Sequence, residues 1–448
     1  MKQKILSASV LLILSLSVAA EDTIGVSVDL TTGSANTPTE AVEQTISTVL
    51  QAIEGDTREL TQAQINARTQ LYDALTNISS AAPSEKEAAL KVISPKANTA
   101  NSTITRRNPV GFNMQAASSR FSLLRQSTKT NLFSPRSRSS RSSRTVFSPY
   151  ILKASDPNEA GGLFDNRLST FFSFNYANSD QSETSVKAGF KGGSTSFSGG
   201  VDYRLNPNSY TGVAFNYMSA DVDLSSGGGL ESKAYSMNAY GAYYLDENIS
   251  FQGRVGFGSM NYDMARDINY TVNGATTNTI AYSNPDGGYF GFSFGAAFDK
   301  SISQYSGGVF SNLNFSRASI DGFAETGAGG YDLNVDQQSV NSLALNIGGQ
   351  VSAVFSTRWW IVTPYFKATY VKEFNDDDEE VKAYFVNDPS KTRMVFDADT
   401  QDPSYLKSTL GSSFVLPQGI SGFVQLEFTH LIQNYNQTNF ALGVRKEL

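Results

Sequence analysis

Residues 287–301, GGYFGFSFGAAFDKS, alternate between large aromatic positions and small ones. One side of an extended chain would carry Phe290, Phe292, Phe294, Ala296 and Phe298, and the other Gly291, Ser293, Gly295, Ala297 and Asp299. A strand of a soluble β-sandwich also alternates, so the period alone does not identify the fold. The second face is small and only mildly polar, which raises the question of which solvent each face contacts.

Similar alternation predicts about twelve strands between residue 165 and the C-terminus. The predicted strands lie near 167–177, 195–205, 209–222, 233–245, 249–263, 288–300, 306–318, 340–355, 360–374, 404–416, 419–430 and 436–447. The low charged fraction of 17%, the 12% of aromatic residues and the 36 glycines against 13 prolines favour a β-rich fold.

The connections between these strands are alternately long and short. The long ones follow the first strand and cover LSSGGGLESK (224–233), 264–287, 319–339 and 375–403; the short ones are NPN (206–208), DEN (246–248), SISQY (301–305), STRW (356–359) and PQG (417–419). The last connection, HLIQNYNQ (430–437), is intermediate. Short turns at one end and long loops at the other are typical of outer-membrane barrels.

The sequence therefore predicts an all-β transmembrane outer-membrane β-barrel of about 12 antiparallel strands over 165–448, with a small α-helical N-terminal region. Its aromatic ladders would contact lipid, and the small polar face would line a lumen. Closure would pair every backbone amide where no water is available. Trp359 and Trp360 lie at a short turn, where an aromatic girdle belongs. The alternative for this pair is burial in a core.

Residues 21–95 predict a short helical region. A first helix is predicted to begin with Thr37 as its N-cap, Pro38 at N1 and Glu40 at N3. Apolar residues follow at helical spacing as far as Ile53. Further helices are predicted from about Arg58 to Ile78 and from Ser84 to Ile93. Narrow apolar stripes of this kind are typical of a helical hairpin or coiled coil. These helices could bind a partner; the alternative is a small helix pair whose residues only pack against each other.

The N-terminus predicts export. Lys2 and Lys4 precede an apolar run from Ile5 to Val18, and small residues stand before Glu21, so residues 1–20 are interpreted as a signal peptide. Beyond it there is no apolar stretch of 18 residues, which excludes a helical membrane span. The chain has no cysteine. Either the fold needs no disulfide, or disulfide-closed loops are avoided because segments of the chain pass through a narrow pore.

Residues 96–164 form a basic, Ser- and Arg-rich linker. There is no Asp or Glu from Ala88 to Ser155, although the whole chain has a net charge of -7. Within the linker, 112–127 (FNMQAASSRFSLLRQS) is a candidate helix, and 134–149 is of low complexity. The signal peptide excludes nucleic acid as a partner, which leaves anionic lipid or an acidic channel lining.

At this point the sequence resembles a known family, the β-domain of monomeric type V autotransporters. The resemblance is carried by 320–355 (IDGFAETGAGGYDLNVDQQSVNSLALNIGGQVSAVF) and 363–374 (TPYFKATYVKEF), and also by 199–224 and 240–263. It implies a twelve-stranded barrel in the Gram-negative outer membrane and an upstream passenger that reaches the cell surface. The stretch 112–127 resembles the family's helix that occupies the pore.

The resemblance also implies partners: outer-membrane lipid and lipopolysaccharide, the general secretion pathway, and the barrel-assembly machinery that reads the last strand. Two features differ from the family. Lys446 and Leu448 stand where aromatic or apolar residues are usual, and the passenger is short, without a repeated β-helix pattern.

The residues offer little catalytic chemistry. His430 is the single histidine and lies at the tip of a predicted strand, so a Ser-His-Asp passenger is not expected and His430 is interpreted as a polar loop residue. The acidic run NDDDEEV (375–381) lacks the spacing of a calcium loop and is interpreted as a solvated loop. The Gly-rich stretch 192–200 lies within a predicted strand and is not a phosphate loop.

These patterns predict no enzyme, no catalytic, metal or cofactor site and no cofactor. We expect an autotransporter that translocates or displays a short helical passenger for surface binding. The alternative is an outer-membrane pore or anchor whose N-terminal region stays in the periplasm as a plug or tether. Surface accessibility of the N-terminal region discriminates between them.

Overall fold

The computed structural model describes residues 35–99, 167–357, 360–374, 380–397, 402–416 and 418–448. Its N-terminal part contains three helices: α1 (Pro38–Gly55), α2 (Gln62–Ser79) and α3 (Pro83–Ile93). A 3₁₀ turn, Pro95–Ala97, follows them. The second helix begins four residues later than the sequence predicts, because Thr61 caps it.

Both long helices begin with side-chain caps. The Thr37 hydroxyl accepts a hydrogen bond from the Glu40 amide at 3.2 Å, and the Glu40 carboxylate accepts one from the Asn36 amide at 3.1 Å. The carboxylate thus reaches one residue beyond the N-cap. Thr61 and Gln64 form a complete capping box at the start of α2.

The described strands are numbered in chain order: β1 (Leu168–Gln181), β2 (Phe190–Asn206), β3 (Ser209–Leu224), β4 (Gly228–Tyr244), β5 (Ile249–Val272), β6 (Ala275–Ser283), β7 (Asp286–Ile302), β8 (Tyr305–Ile320), β9 (Phe323–Ala324), β10 (Leu333–Val335), β11 (Gln338–Ala353), β12 (Phe355–Ser356), β13 (Ile361–Glu373), β14 (Glu380–Phe385), β15 (Met394–Asp397), β16 (Ser404–Leu416), β17 (Ile420–His430) and β18 (Tyr435–Glu447). A 3₁₀ turn, Gly329–Tyr331, precedes β10.

Twelve of the described strands form a closed antiparallel barrel. The order around it is β1-β2-β3-β4-β5-β7-β8-β11-β13-β16-β17-β18, and β18 pairs with β1 over thirteen residue pairs. Closure leaves no sheet edge, so the backbone groups of each barrel strand are paired between neighbours. The predicted fold class is confirmed.

The two faces of β7 meet different surroundings. Phe294 is 57% exposed on the outside of the barrel, whereas Asp299 is 5% exposed on the inside. Phe290, Phe292 and Phe298 share the outward face, as the alternation predicts. The inward face of the barrel is rich in small polar residues, among them Ser173, Asn175, Ser196, Asn216, Ser316 and Thr409.

Tight turns connect the strands at one end, which we call the short-turn end; they include 207–208, 245–248 and 303–304. At the opposite, long-loop end lie 182–189, 321–337 and the segment between β13 and β16.

Two connections predicted to be long are not loops. The first is a three-residue turn, 225–227, followed by Gly228 at φ 84.

The second connection predicted to be long is a hairpin. Residues 264–287 extend β5 and add β6, joined by the tight turn Asn273 (φ 51) and Gly274 (φ 77). Positive φ at both positions is the type I′ geometry that Asn-Gly favours. The hairpin continues past the point where β5 leaves its pairing with β7, at Asn261, and so projects beyond the barrel.

A second sheet forms at the long-loop end. Its order is β15-β14-β10-β9, built from the loop after β8 and the segment between β13 and β16. Ala35 adds a parallel bridge to Phe396 on β15.

Several predicted features lie outside the described residues: the signal peptide 1–20, the candidate helix 112–127, the low-complexity tract 134–149, Trp359 and positions 375–379 of the acidic run. Trp360 is described. Its side chain lies at the short-turn end and is 47% exposed, and its ring stacks on that of Phe414 with the ring centroids 6.1 Å apart. This exposure is typical of an aromatic girdle at the membrane interface and not of a buried core.

Candidate functional site at the long-loop end

The three helices pack on the long-loop end of the barrel. One continuous apolar core contains the buried residues of the helices together with residues from four separate connections between barrel strands. Each helix contacts an element at this end of the barrel: α1 contacts β15, α2 contacts the 3₁₀ turn Gly329–Tyr331, and α3 contacts β5. The sequence predicts a helical hairpin or coiled coil; in the structure the three helices contact one another and also share their apolar core with the loops.

The second sheet presents an apolar face to this core. Cross-strand pairing puts the following residues on one side: Leu333, Val335, Val381, Ala383, Phe385, Met394 and Phe396. Phe385 and Phe396 are 1% and 0% exposed. The β5–β6 hairpin contributes Ile268, Tyr270, Val272 and Ala281.

Arg266 of the hairpin connects three elements. Its Nε donates to Glu325 Oε1 at 2.9 Å, its Nη2 donates to the Tyr331 carbonyl at 2.9 Å, and its Nη1 donates to the Val92 carbonyl at 3.1 Å. Val92 lies in the last turn of α3, whose carbonyls have no partner within the helix. The guanidinium thus caps α3 while it binds the loop after β8.

A second polar contact joins α3 to the loop between β1 and β2. Lys91 and Lys96 each place Nζ 2.8 Å from Glu183 Oε1, and Thr99 Oγ1 accepts from the Ala188 amide at 3.1 Å. Burial raises the pKa of Glu183, but the two ammonium groups outweigh burial and hold that pKa below its usual value. Because this loop and the loop after β8 lie on opposite sides of the barrel, these contacts bridge its mouth.

Gly330 lies against the backbone of α2. Its amide donates to Gln70 Oε1 at 3.0 Å. A Cβ at position 330 would lie 2.6 Å from the Ala67 carbonyl oxygen and 2.6 Å from the Leu71 nitrogen. Only glycine permits this approach.

The two described chain ends that flank 100–166 lie at opposite ends of the barrel. Thr99 contacts Ala188 at the long-loop end. The Arg167 carbonyl accepts from the Arg204 amide at 2.8 Å, next to the short turn between β2 and β3.

At the short-turn end a buried cluster closes the seam between the first and last strands. Arg445 of β18 donates to Ser169 Oγ of β1 at 2.5 Å and to Asp202 Oδ2 of β2 at 3.3 Å. Arg445 is 4% exposed and Asp202 1%. Alternation places these residues inside the barrel, but no local signal pairs them.

His430 ends β17, and its Nε2 lies 2.7 Å from Ser408 Oγ on the outer surface. Within the described residues no carboxylate bonds to this histidine, so the orienting acid of a triad is missing there. The described ranges contain no group of three or more His, Asp and Glu residues that could hold a metal. None of the described helices has the length and apolarity to cross a membrane.

The comparisons with known proteins agree with this architecture. The family model described as Autotransporter beta-domain matches residues 170–427, more than half of the chain. The chain belongs to the autotransporter β-domain family. This autotransporter barrel is therefore a translocator domain of the Gram-negative outer membrane.

The chain is similar to solved structures of autotransporter domains. The translocator domain of the autotransporter NalP from Neisseria meningitidis is 12% identical, with a TM-score of 0.50, and the match covers 65% of this chain and 91% of that one. The β-domain of the Bordetella autotransporter BrkA is 13% identical, with a TM-score of 0.48, over 63% of this chain and 100% of that one. No curated protein matches this autotransporter.

Proposed function

We propose that this autotransporter carries its N-terminal helices to the cell surface and displays them there. One observation carries the proposal: the helices pack on the long-loop end, while residue 167 enters the barrel at the short-turn end. Outer-membrane barrels have short turns on the periplasmic side and long loops on the outside. With that orientation, the helices lie outside the cell.

The lumen is the route that the chemistry favours. A polar chain on the lipid side of the barrel would leave its backbone groups without partners. The inward face instead offers hydroxyl and amide groups, such as Ser173, Asn175 and Asn216. These groups support passage of a polypeptide through the barrel.

The displayed helices support binding rather than catalysis. Their outward faces are rich in exposed amide and hydroxyl side chains, including Gln51, Gln62, Gln64, Asn66, Thr69 and Thr76. Such groups donate and accept hydrogen bonds without a charge preference. We propose a surface-binding role for this region.

The partners that we propose follow from location. The signal peptide delivers the chain to the general secretion pathway, and the barrel-assembly machinery inserts it by reading β18. The outer surface then contacts lipid and lipopolysaccharide. Lys446 points outward at the short-turn end of β18, in line with Val444 and Leu442, where a lysine can extend to the interface.

The alternative, a pore or anchor with a periplasmic plug, requires the helices at the short-turn end. Their contacts with 182–189, β5 and 321–337 do not support that location.

An epitope tag inserted after Gly55 tests the proposal. Gly55 ends α1, and no atom lies within 4 Å of a Cβ built there. Antibody or protease added to intact cells should reach the tag. A tag after Asn208, in a short turn, is the matched control and should be reached only after the outer membrane is opened. If the Gly55 tag behaves like the Asn208 tag, the display proposal is wrong.

A further inference from the structure

We propose that the long-loop end of the barrel is the folding template for the exported helices. The helices acquire their core only on the barrel, so docking and folding are one event. This inference rests on the proposed display function, because the template acts where the helices emerge.

The helices share their apolar core with the loops of the barrel. Inside α2 only Leu71, Ala74, Leu75 and Ile78 are buried, and inside α3 only Ala89, Leu90 and Ile93. Each helix also contacts an element of the long-loop end, namely β15 for α1, the turn Gly329–Tyr331 for α2 and β5 for α3. Helices of 11 to 18 residues are marginal in water without tertiary packing.

The loop end is equally incomplete without the helices. Phe385, Phe396, Leu333 and Ile268 are buried to 1% or less within the shared core. Removal of the helices would expose this apolar face to water. Contiguous apolar patches of that kind mark interaction surfaces.

The β5–β6 hairpin recognises the ends of formed helices. Arg266 Nη1 donates to the Val92 carbonyl in the last turn of α3, and Asn273 Nδ2 donates to the Asn77 carbonyl in the last turn of α2 at 3.4 Å. The Asn273 amide donates to Glu85 Oε2, in the first turn of α3, at 3.1 Å. The terminal carbonyls of a helix lack partners within the helix itself. A projecting hairpin that supplies these caps selects the helical state of the segment.

The hairpin is also positioned to act before the helices arrive. Its own pairing, from Met264 with Ser283 to Val272 with Ala275, joins β5 to β6 and involves no residue of the helices. Its tight turn, Asn273-Gly274, is stabilised by local geometry. The template is thus continuous with the barrel strand β5, whereas the helices depend on it.

Gly330→Ala tests the template in the full-length chain on intact cells. The added methyl would meet backbone atoms of α2 at 2.6 Å and touches no barrel strand among its three nearest neighbours. Gly55→Ala is the matched control, because the same methyl meets nothing within 4 Å. Trypsin cleavage at Arg68, Lys86 and Lys91 measures folding, antibody binding to the tag after Gly55 measures location, and heat-dependent gel mobility measures the barrel.

We expect the helices of the wild-type and Gly55→Ala chains to resist trypsin while their tags bind antibody. In Gly330→Ala we expect cleavage about tenfold faster or more, with an unchanged barrel, since overpacking a close contact shifts the docked helices toward an open state. A Gly330→Ala tag that antibody reaches only after the membrane is opened would also support the template, because docking would then be required to complete export.

Asn273→Gly provides a second, milder variant, since glycine keeps the tight turn and removes the Nδ2 contact with Asn77. We expect a few-fold increase in cleavage. The template is overturned if both variants have surface-exposed helices that resist trypsin as well as the wild type. If the wild-type tag itself is inaccessible on intact cells, the display function fails instead, which distinguishes the two failures.

Discussion

Arg266 and Glu325 form an ion pair that is buried on both sides, with side-chain exposures of 5% and 3%. Both carboxylate oxygens of Glu325 accept hydrogen bonds. Oε1 accepts from Arg266 Nε, and Oε2 accepts from the Leu333 amide at 2.9 Å. The pair links the strand that leaves the barrel to the loop that carries β10. Because Arg266 also caps α3, this pair couples the barrel to the helices.

We predict that Glu325→Gln weakens the docking of the helices. Removal of one partner leaves Arg266 buried without its counter-charge, which typically costs about 3–5 kcal/mol. The measurement is the urea concentration at which the helices of the purified barrel become sensitive to protease. Glu43→Gln is the control: it removes a surface ion pair with Lys86 in which Glu43 is 51% exposed, so we expect a change of about 0–1 kcal/mol. Equal effects of the two substitutions would contradict the assigned role of the buried pair.

The contact of Glu183 with Lys91 and Lys96 should be lost in acid. The pKa of Glu183 is lower in the folded state than in the unfolded state, so its stabilising contribution is complete above the ordinary glutamate pKa. The contribution disappears as the pH falls through the lowered pKa of the folded state. The protease resistance of the helices, measured from neutral pH downward, should therefore decline in this range.

Glu183→Gln controls for other acidic groups, because glutamine cannot titrate. Its helices should be less resistant at neutral pH, and the difference from wild type should vanish in acid. A difference that persists below the pKa of the folded state would rule out this ion pair as the cause.

The outward face of β7 should tolerate charge only near its end. Phe294 lies mid-strand, and Arg at the bilayer midplane costs about 2–4 kcal/mol against about 0–1 near the interface. Ile302, the last residue of the same strand and on the same face, is 70% exposed. We expect Phe294→Arg to reduce the yield of heat-resistant barrel and Ile302→Arg to leave it nearly unchanged. Similar yields from the two would mean that position 294 does not contact hydrocarbon.

The seam between β18 and β1 should depend on Arg445. Arg445→Met leaves Asp202 buried without its cation, a change that typically costs about 3–5 kcal/mol. We expect the barrel to unfold at a lower temperature in the gel-mobility assay. Lys446→Met is the control, since this neighbouring side chain faces outward. If Lys446→Met destabilises the barrel more than Arg445→Met does, the buried cluster does not hold the seam.

The barrel strands were predictable because their signal is local. Each of the twelve predicted strands coincides with a barrel strand, and the outward ladder of Phe290 to Phe298 follows directly from a period of two. The strand lengths were less predictable. Polar residues beyond the lipid still pair in hairpins, so 224–233 and 264–287 carry strand where polarity and glycine indicated loop. The Asn273-Gly274 turn was the signal that could have identified the second hairpin.

The candidate site was not predictable from local pattern. Arg266 and Glu325 are separated by 59 residues, and Gly330 and Gln70 by 260. Nothing in the neighbourhood of each residue indicates its partner. The narrow helical stripes were recognised, but the loops that complete the apolar core of the helices lie far away in the chain and could not be inferred from these stripes.

The sequence by itself determined the alternation that builds a lipid-facing barrel, the caps that begin α1, and the membership of the chain in its family. The alternation and the caps depend on residues two to four positions apart, where geometry is set by the backbone. Only the tertiary structure decided where the helices rest and which groups cap them. That choice depends on burying apolar surface and pairing buried charge between segments far apart in the chain, and such energies exist only once the barrel has brought its loops together.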